Sequence, residues 1–110
     1  MQNQHCGVEN TLKIIGHKWT VLIVRDLCEG SQRFGELQRS LSGISPRTLS
    51  LRLKQLEKEG IIDRKVYNEI PLHVEYYLTD KGKTLREIID KMREWGKNDW
   101  VRKGRADIQI

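Results

Sequence analysis

The chain has 110 residues, 37% of them hydrophobic and 32% charged, a composition that excludes a disordered chain and leaves room for one domain with a single modest core. No apolar run approaches the roughly 20 residues that cross a bilayer, and residues 1–7 are polar, without the basic and apolar regions of a secretory signal, so a cytoplasmic location and no membrane partner are expected. Lys and Arg number 20 against 15 Asp and Glu, giving a net charge of +5 and a pI near 9.4, a balance that favours polyanionic partners.

Residues 1–7 read as a flexible segment. Val8, Leu12 and Ile15 then recur at helical spacing, and Gly16 closes this short first helix. Residues 18–28 predict a stronger helix with Trp19, Leu22, Ile23 and Leu27 inward, ending at Gly30. Residues 31–33 fit either a single extended turn or a minimal strand. Phe34, Leu37 and Leu41 give a third apolar stripe, and Ser42-Gly43-Ile44 makes a tight turn into residues 45–60. Two short helices joined by a Gly-containing turn form the helix-turn-helix pattern, whose second helix enters a groove.

That second helix has well-marked ends. Ser45 suits the N-cap, Pro46 the first helical position, and Gly60 the left-handed turn that stops it. At 100° per residue Leu49, Leu53 and Leu56 share one stripe, while Arg47, Ser50, Leu51, Lys54 and Lys58 lie opposite. Taken alone, such a polar side is a solvated face.

After Gly60 the period changes to two. Ile62, Arg64 and Val66 alternate with Asp63, Lys65 and Tyr67, and Val74, Tyr76 and Leu78 alternate with His73, Glu75 and Tyr77. Residues 68–72, with Pro71, connect the two runs into a hairpin. A helix-turn-helix followed by a hairpin is a winged helix, so the expected fold is mainly α with a small β-hairpin wing. Thr79 is expected to cap a long final helix carrying Leu85, Ile88, Met92 and Trp95, broadened by Ile89. The domain is expected to span residues 8–102, with a loose basic tail at 103–110.

The chain resembles the HxlR family of winged-helix transcription regulators, relatives of the MarR group, from about Cys6 to Trp95. The resemblance is carried by Cys6, Ile15-Gly16-His17-Lys18-Trp19, Arg33-Phe34-Gly35-Glu36-Leu37, Gly43-Ile44-Ser45, Leu49, Arg52-Leu53, Leu56, Val74-Glu75-Tyr76, Leu78-Thr79 and Gly82. His17 stands where a second Gly is common in the family, and Gly7 where Pro is common. The resemblance implies homodimers on operator DNA, joined mainly by the first and last helices, with the hairpin as wing.

The expected DNA-contacting set is Ser45, Arg47, Ser50, Leu51, Lys54 and Lys58 on the second helix, with Arg64 and Lys65 on the wing. The cations neutralise phosphates, Arg47 or Lys54 reaches guanine edges, and Leu51 meets a thymine methyl, which explains an apolar residue on an otherwise wet face. Arg52, at the margin of the apolar stripe, fits either an ion pair with Glu36 or Glu75 or a DNA contact. The expected dimer interface is Leu12, Ile88, Met92 and Trp95; alternatively Trp95 and Trp100 fold back onto their own domain. Double-stranded DNA and a second copy of the chain are thus the expected partners, with room for a small-molecule effector.

Cys28 reads as a small buried hydrophobe. Cys6, ahead of the first helix, lies where exposure and the positive helix end favour a thiolate; some family members use a cysteine at that site as a thiol sensor, and a single exposed cysteine can equally be inert. No cofactor or metal site is expected, because His5, His17 and His73 lack ligand partners at metal-site spacing. Nothing supplies a nucleophile with a positioned base, so no enzyme is expected. The rival reading is a winged-helix module that contacts protein rather than DNA.

Overall fold

The structure, a computed structural model, describes residues 6–98; the remainder of the amino-terminal segment, Trp100 and the basic tail lie outside the described residues. The elements run α1 (Gly7–Ile15), α2 (Lys18–Leu27), β1 (Gln32–Arg33), α3 (Phe34–Ser40), α4 (Pro46–Lys58), β2 (Ile62–Tyr67), β3 (His73–Leu78), α5 (Asp80–Lys83) and α6 (Arg86–Lys97). The strands form one antiparallel sheet in the order β1-β3-β2. Residues 31–33 therefore contribute a minimal strand, with Gln32 opposite Tyr76 and Arg33 opposite Glu75.

The core explains the helical stripes. Ile23, Val24 and Leu27 of α2, Leu37 of α3, and Leu49, Leu53 and Leu56 of α4 are buried together with Leu41 and Ile44 from the α3–α4 connection. Ile61, Ile62 and Leu78 close this core from the sheet side, and Leu85 and Ile89 from the carboxy-terminal side. Trp19 and Leu22, expected to point inward, are only partly buried, and Thr20 and Val24 are buried instead. In the first helix Ile15 alone of the expected stripe is buried, leaving Val8 and Leu12 exposed.

The ends of α4 follow the sequence closely. Ser45 Oγ accepts a hydrogen bond from the Thr48 amide at 3.1 Å, and Pro46 opens the helix. Gly60 takes φ +76°, the left-handed region that a side chain disfavours. Its amide donates to the Glu57 carbonyl at 3.0 Å and the Ile61 amide to the Leu56 carbonyl at 2.9 Å, the paired bonds that satisfy the last free carbonyls of a helix. The chain thereby leaves α4 directly into β2, with Ile61 and Leu56 both buried. In the hairpin, Ile62, Arg64 and Val66 face Leu78, Tyr76 and Val74 across the ladder, the alternation expected of it.

Two expectations are corrected. Cys6 and Gly7 are not part of a loose leader: Gly7 is the first residue of α1, and the Cys6 carbonyl accepts from the Asn10 amide at 3.0 Å. The final helix is not continuous from its Thr79 cap. After α5 the backbone changes to three-residue bonds, Thr84 to Lys81 at 3.2 Å and Leu85 to Gly82 at 3.0 Å, before α6 begins. The cause is Gly82, pressed so closely against Ile61 that a Cβ would lie 2.0 Å from its carbonyl oxygen. α5 is fixed by that contact and by Thr79, whose hydroxyl bonds the Ile61 carbonyl and the Gly82 amide. α6 takes a separate direction to bury Leu85 and Ile89.

Candidate nucleic-acid interface

α4 is held by its leucines and presents its other side to solvent. Arg47, Lys54 and Lys58 are exposed, Ser50 is half-buried, and Leu51 is 49% exposed while Leu49 is 0% and Leu53 2% exposed. Leu51 is thus a half-exposed apolar side chain one turn from Arg47 on one side and from Lys54 on the other. Ser45 is more committed than its neighbours, because its Oγ both caps the helix and donates to Thr48 Oγ1 at 3.0 Å.

The wing cations differ from those of α4. Arg64 Nε lies 2.8 Å from Glu57 Oε2, joining the first wing strand to the inner edge of the recognition helix. Tyr76, opposite Arg64 in the ladder, has its hydroxyl pushed up in pKa by burial, which the charge and hydrogen bond of Arg64 partly oppose. Arg64 is thus a cation already partnered within the fold. Lys65 is exposed, with Nζ 5.1 Å from the centre of the Tyr67 ring and Glu75 opposite it. Nothing in the sequence points to Glu57, because its spacing on α4 gives no hint of a partner on the following strand.

At the base of the hairpin connection, His73 stacks on Tyr67 with ring centres 4.4 Å apart and lies 3.2 Å from Glu69 and 3.4 Å from Glu75. Glu75 also accepts from the Tyr67 hydroxyl at 3.3 Å, and Glu36 accepts from the Arg33 amide at 2.8 Å. Neither carboxylate pairs with Arg52, which corrects that alternative. Arg52 Nη1 donates to Gln55 Oε1 at 2.9 Å, and its Nε is buried without a hydrogen-bond partner among the described residues.

The dimer candidates separate from the core. Leu85 and Ile89 turn inward, whereas Ile88, Met92 and Trp95 are exposed, as is Leu12 on α1. Trp95 is 65% exposed, so it does not fold back onto its own domain. Cys6 is half-buried at the start of α1. Cys28, expected to be buried, is half-buried against the core, and burial pushes its thiol pKa up against the opposing charge of Arg86. His17 caps α2, with Nδ1 accepting from the Trp19 amide at 3.1 Å. Among the described residues no group of three or more His, Cys, Asp or Glu is placed to hold a metal ion, and no helix is long and apolar enough to cross a membrane.

Residues 14–104 match the HxlR-like helix-turn-helix family. The chain belongs to the HxlR family. The HTH-type transcriptional regulator YybR of Bacillus subtilis (strain 168), itself uncharacterised, is 43% identical over 94 residues, covering 86% of this chain and 75% of YybR. The redox regulator HypR in its oxidised form superposes with a TM-score of 0.80 at 43% identity, over 84% of this chain and 95% of HypR. A protein of Porphyromonas gingivalis W83 assigned to the MarR family of transcriptional regulators gives 0.84 at 37% identity, over 89% and 96%. The HxlR fold is accordingly a winged helix-turn-helix, with α3 and α4 as its helix pair and β2–β3 as its wing, in a family of DNA-binding transcription regulators rather than of enzymes.

Proposed function

We propose that this HxlR-family chain regulates transcription in the cytoplasm as a homodimer, each α4 entering the major groove of one half of an inverted-repeat operator. The observation that carries this reading is the division of α4: Leu49, Leu53 and Leu56 are buried, while Arg47, Leu51, Lys54 and Lys58 stand open on the opposite side. Arg47 and Lys54 supply donors for phosphate oxygens or guanine edges, Ser50 a hydroxyl, and Leu51 an apolar contact for a thymine methyl. Lys65 adds a phosphate contact from the wing, and Arg64, paired with Glu57, ties the first wing strand to α4.

One winged helix touches few base pairs. The exposed side chains Ile88, Met92 and Trp95 of α6, together with Leu12 of α1, supply a face for a second copy, which would set two recognition helices about 34 Å apart, one turn of DNA. The likeness to HypR supports a thiol-reactive signal, with Cys6, at the entry to α1, as the sensing group. Cys6→Ser should abolish release from DNA by diamide or a quinone; unchanged release would remove Cys6 from this role.

Selection of genomic fragments by the purified protein, followed by footprinting, tests the reading. Enrichment of an inverted repeat with half-sites one turn apart supports it. Binding without sequence preference, or none, would favour a module that contacts protein.

A further inference from the structure

The wing has two unlike faces. On one, Tyr67 stacks on His73, which lies 3.2 Å from Glu69 and 3.4 Å from Glu75, so its polar groups are engaged with one another. The other carries Arg64, whose partner Glu57 belongs to α4, and two residues further out Val66, opposite Val74; side chains two apart on a strand share a face. The apolar character continues into the connection between the strands. Val66, Ile70, Pro71 and Leu72 make four of the seven residues 66–72 apolar, and none of the seven is Lys or Arg. Ile70 is fully exposed, and Val66 and Leu72 are more than half exposed.

Single exposed apolar side chains are ordinary on a protein surface. Here they cluster at the end of an arm, and the one acid among them, Glu69, is drawn to His73. The wing's cations, Arg64 and Lys65, stand farther back along β2. β2 and β3 have six residues each, and a strand of that length spans about 20 Å. Along duplex DNA the step from the major groove to the next minor groove is half of a turn of about 34 Å, roughly 17 Å. With α4 in the major groove, the tip has the reach of the neighbouring minor groove.

We propose that Ile70 is a wedge, which enters the minor groove beside each half-site and opens a base step there, with Val66 and Leu72 packed against the groove. Apolar side chains that enter the minor groove in this way part neighbouring base pairs and kink the duplex toward the major groove. Pyrimidine–purine steps are the easiest to unstack. Ile70 therefore selects operators with a TA or CA step at that place, through deformability rather than through a hydrogen bond to a base edge. This contact rests on the DNA-binding reading above.

The probe is the inverted repeat recovered by the genomic selection, with 2-aminopurine in turn at each adenine of its flanks; its fluorescence rises when the base loses its stacking neighbours. The unaltered protein should raise the signal at one step on each flank, and Ile70→Ser should not. Because Ile70 is fully exposed, the variant should keep the thermal unfolding and the mass of the unaltered protein. Its operator affinity should fall by about tenfold or more, the scale of an isoleucine that loses its buried place, with an unchanged slope against salt, since no phosphate loses a cation. Ile70→Met, which keeps the apolar bulk, should recover most of the affinity. Exchanging the marked step for a stiff AA step should weaken the unaltered protein severalfold and Ile70→Ser little. No rise in signal with the unaltered protein bound, an equal rise with Ile70→Ser, or undiminished affinity in that variant would overturn the wedge and leave α4 in the major groove. A variant mass reduced to one chain would overturn it too, by assigning the tip to the dimer. If the unaltered protein recovers no repeat, the DNA-binding reading itself fails, and the wedge with it.

Discussion

Arg64 and Lys54 look alike in the sequence, two cations near a groove, and the structure gives them different work. Arg64 is half-exposed and already paired with Glu57, so Arg64→Ala should change the unfolding free energy in urea by no more than about 1 kcal/mol and lower the salt dependence of operator binding less than Lys54→Ala does. Equal effects on the salt slope would mean that the Glu57 pair opens on DNA. Arg52 shows why pairing is hard to read from sequence: Glu36 and Glu75 were plausible partners by position, but Glu36 turns back to the Arg33 amide and Glu75 joins Tyr67 and His73. Such choices between near neighbours depend on side-chain geometry that spacing does not encode. The Cys28 thiol, raised by burial, favours the fold while it stays protonated; its contribution is present below the ordinary thiol pKa and is lost as the pH rises through the raised one.

The elements were the most legible level, because each is marked by local chemistry. The Ser45 cap, Pro46 and the Gly60 exit bound α4 where the sequence sets them. Ser45→Ala should cost about 1 kcal/mol of stability by removing the cap, and Leu53→Ala about 2–5 kcal/mol by opening the core, both measurable by urea unfolding; the larger loss at Ser45 would reverse this account of what holds the helix. The break between α5 and α6 was not legible. No proline marks it, and its cause is a tertiary contact, the backbone of Ile61 against Gly82. Gly82→Ala should therefore destabilise by about 1–3 kcal/mol through overcrowding, far more than at Gly96, where a Cβ meets nothing within 4 Å; a neutral Gly82→Ala in thermal unfolding would contradict the explanation.

At the scale of the molecule, the periodicity of residues 85–95 predicted more apolar surface than one domain covers. The structure divides that surface, with Leu85 and Ile89 in the core and Ile88, Met92 and Trp95 outside. Light scattering at micromolar protein should give twice the 12.9 kDa chain mass, and Met92→Lys should lower it toward one chain; a monomeric unaltered protein with full operator affinity would end the dimer reading. The DNA face was legible only once the hairpin and the family resemblance set α4 in a winged helix, since its cations alone fit a solvated surface. The central claim is that the outer face of α4 meets DNA, and the most direct measurement is the salt dependence of operator affinity for the unaltered protein and for Arg47→Ala with Lys54→Ala. Weaker binding is expected, with a slope of log affinity against log salt shallower by about 2 per recognition helix, one for each phosphate left without its cation. An unchanged affinity and slope would contradict it.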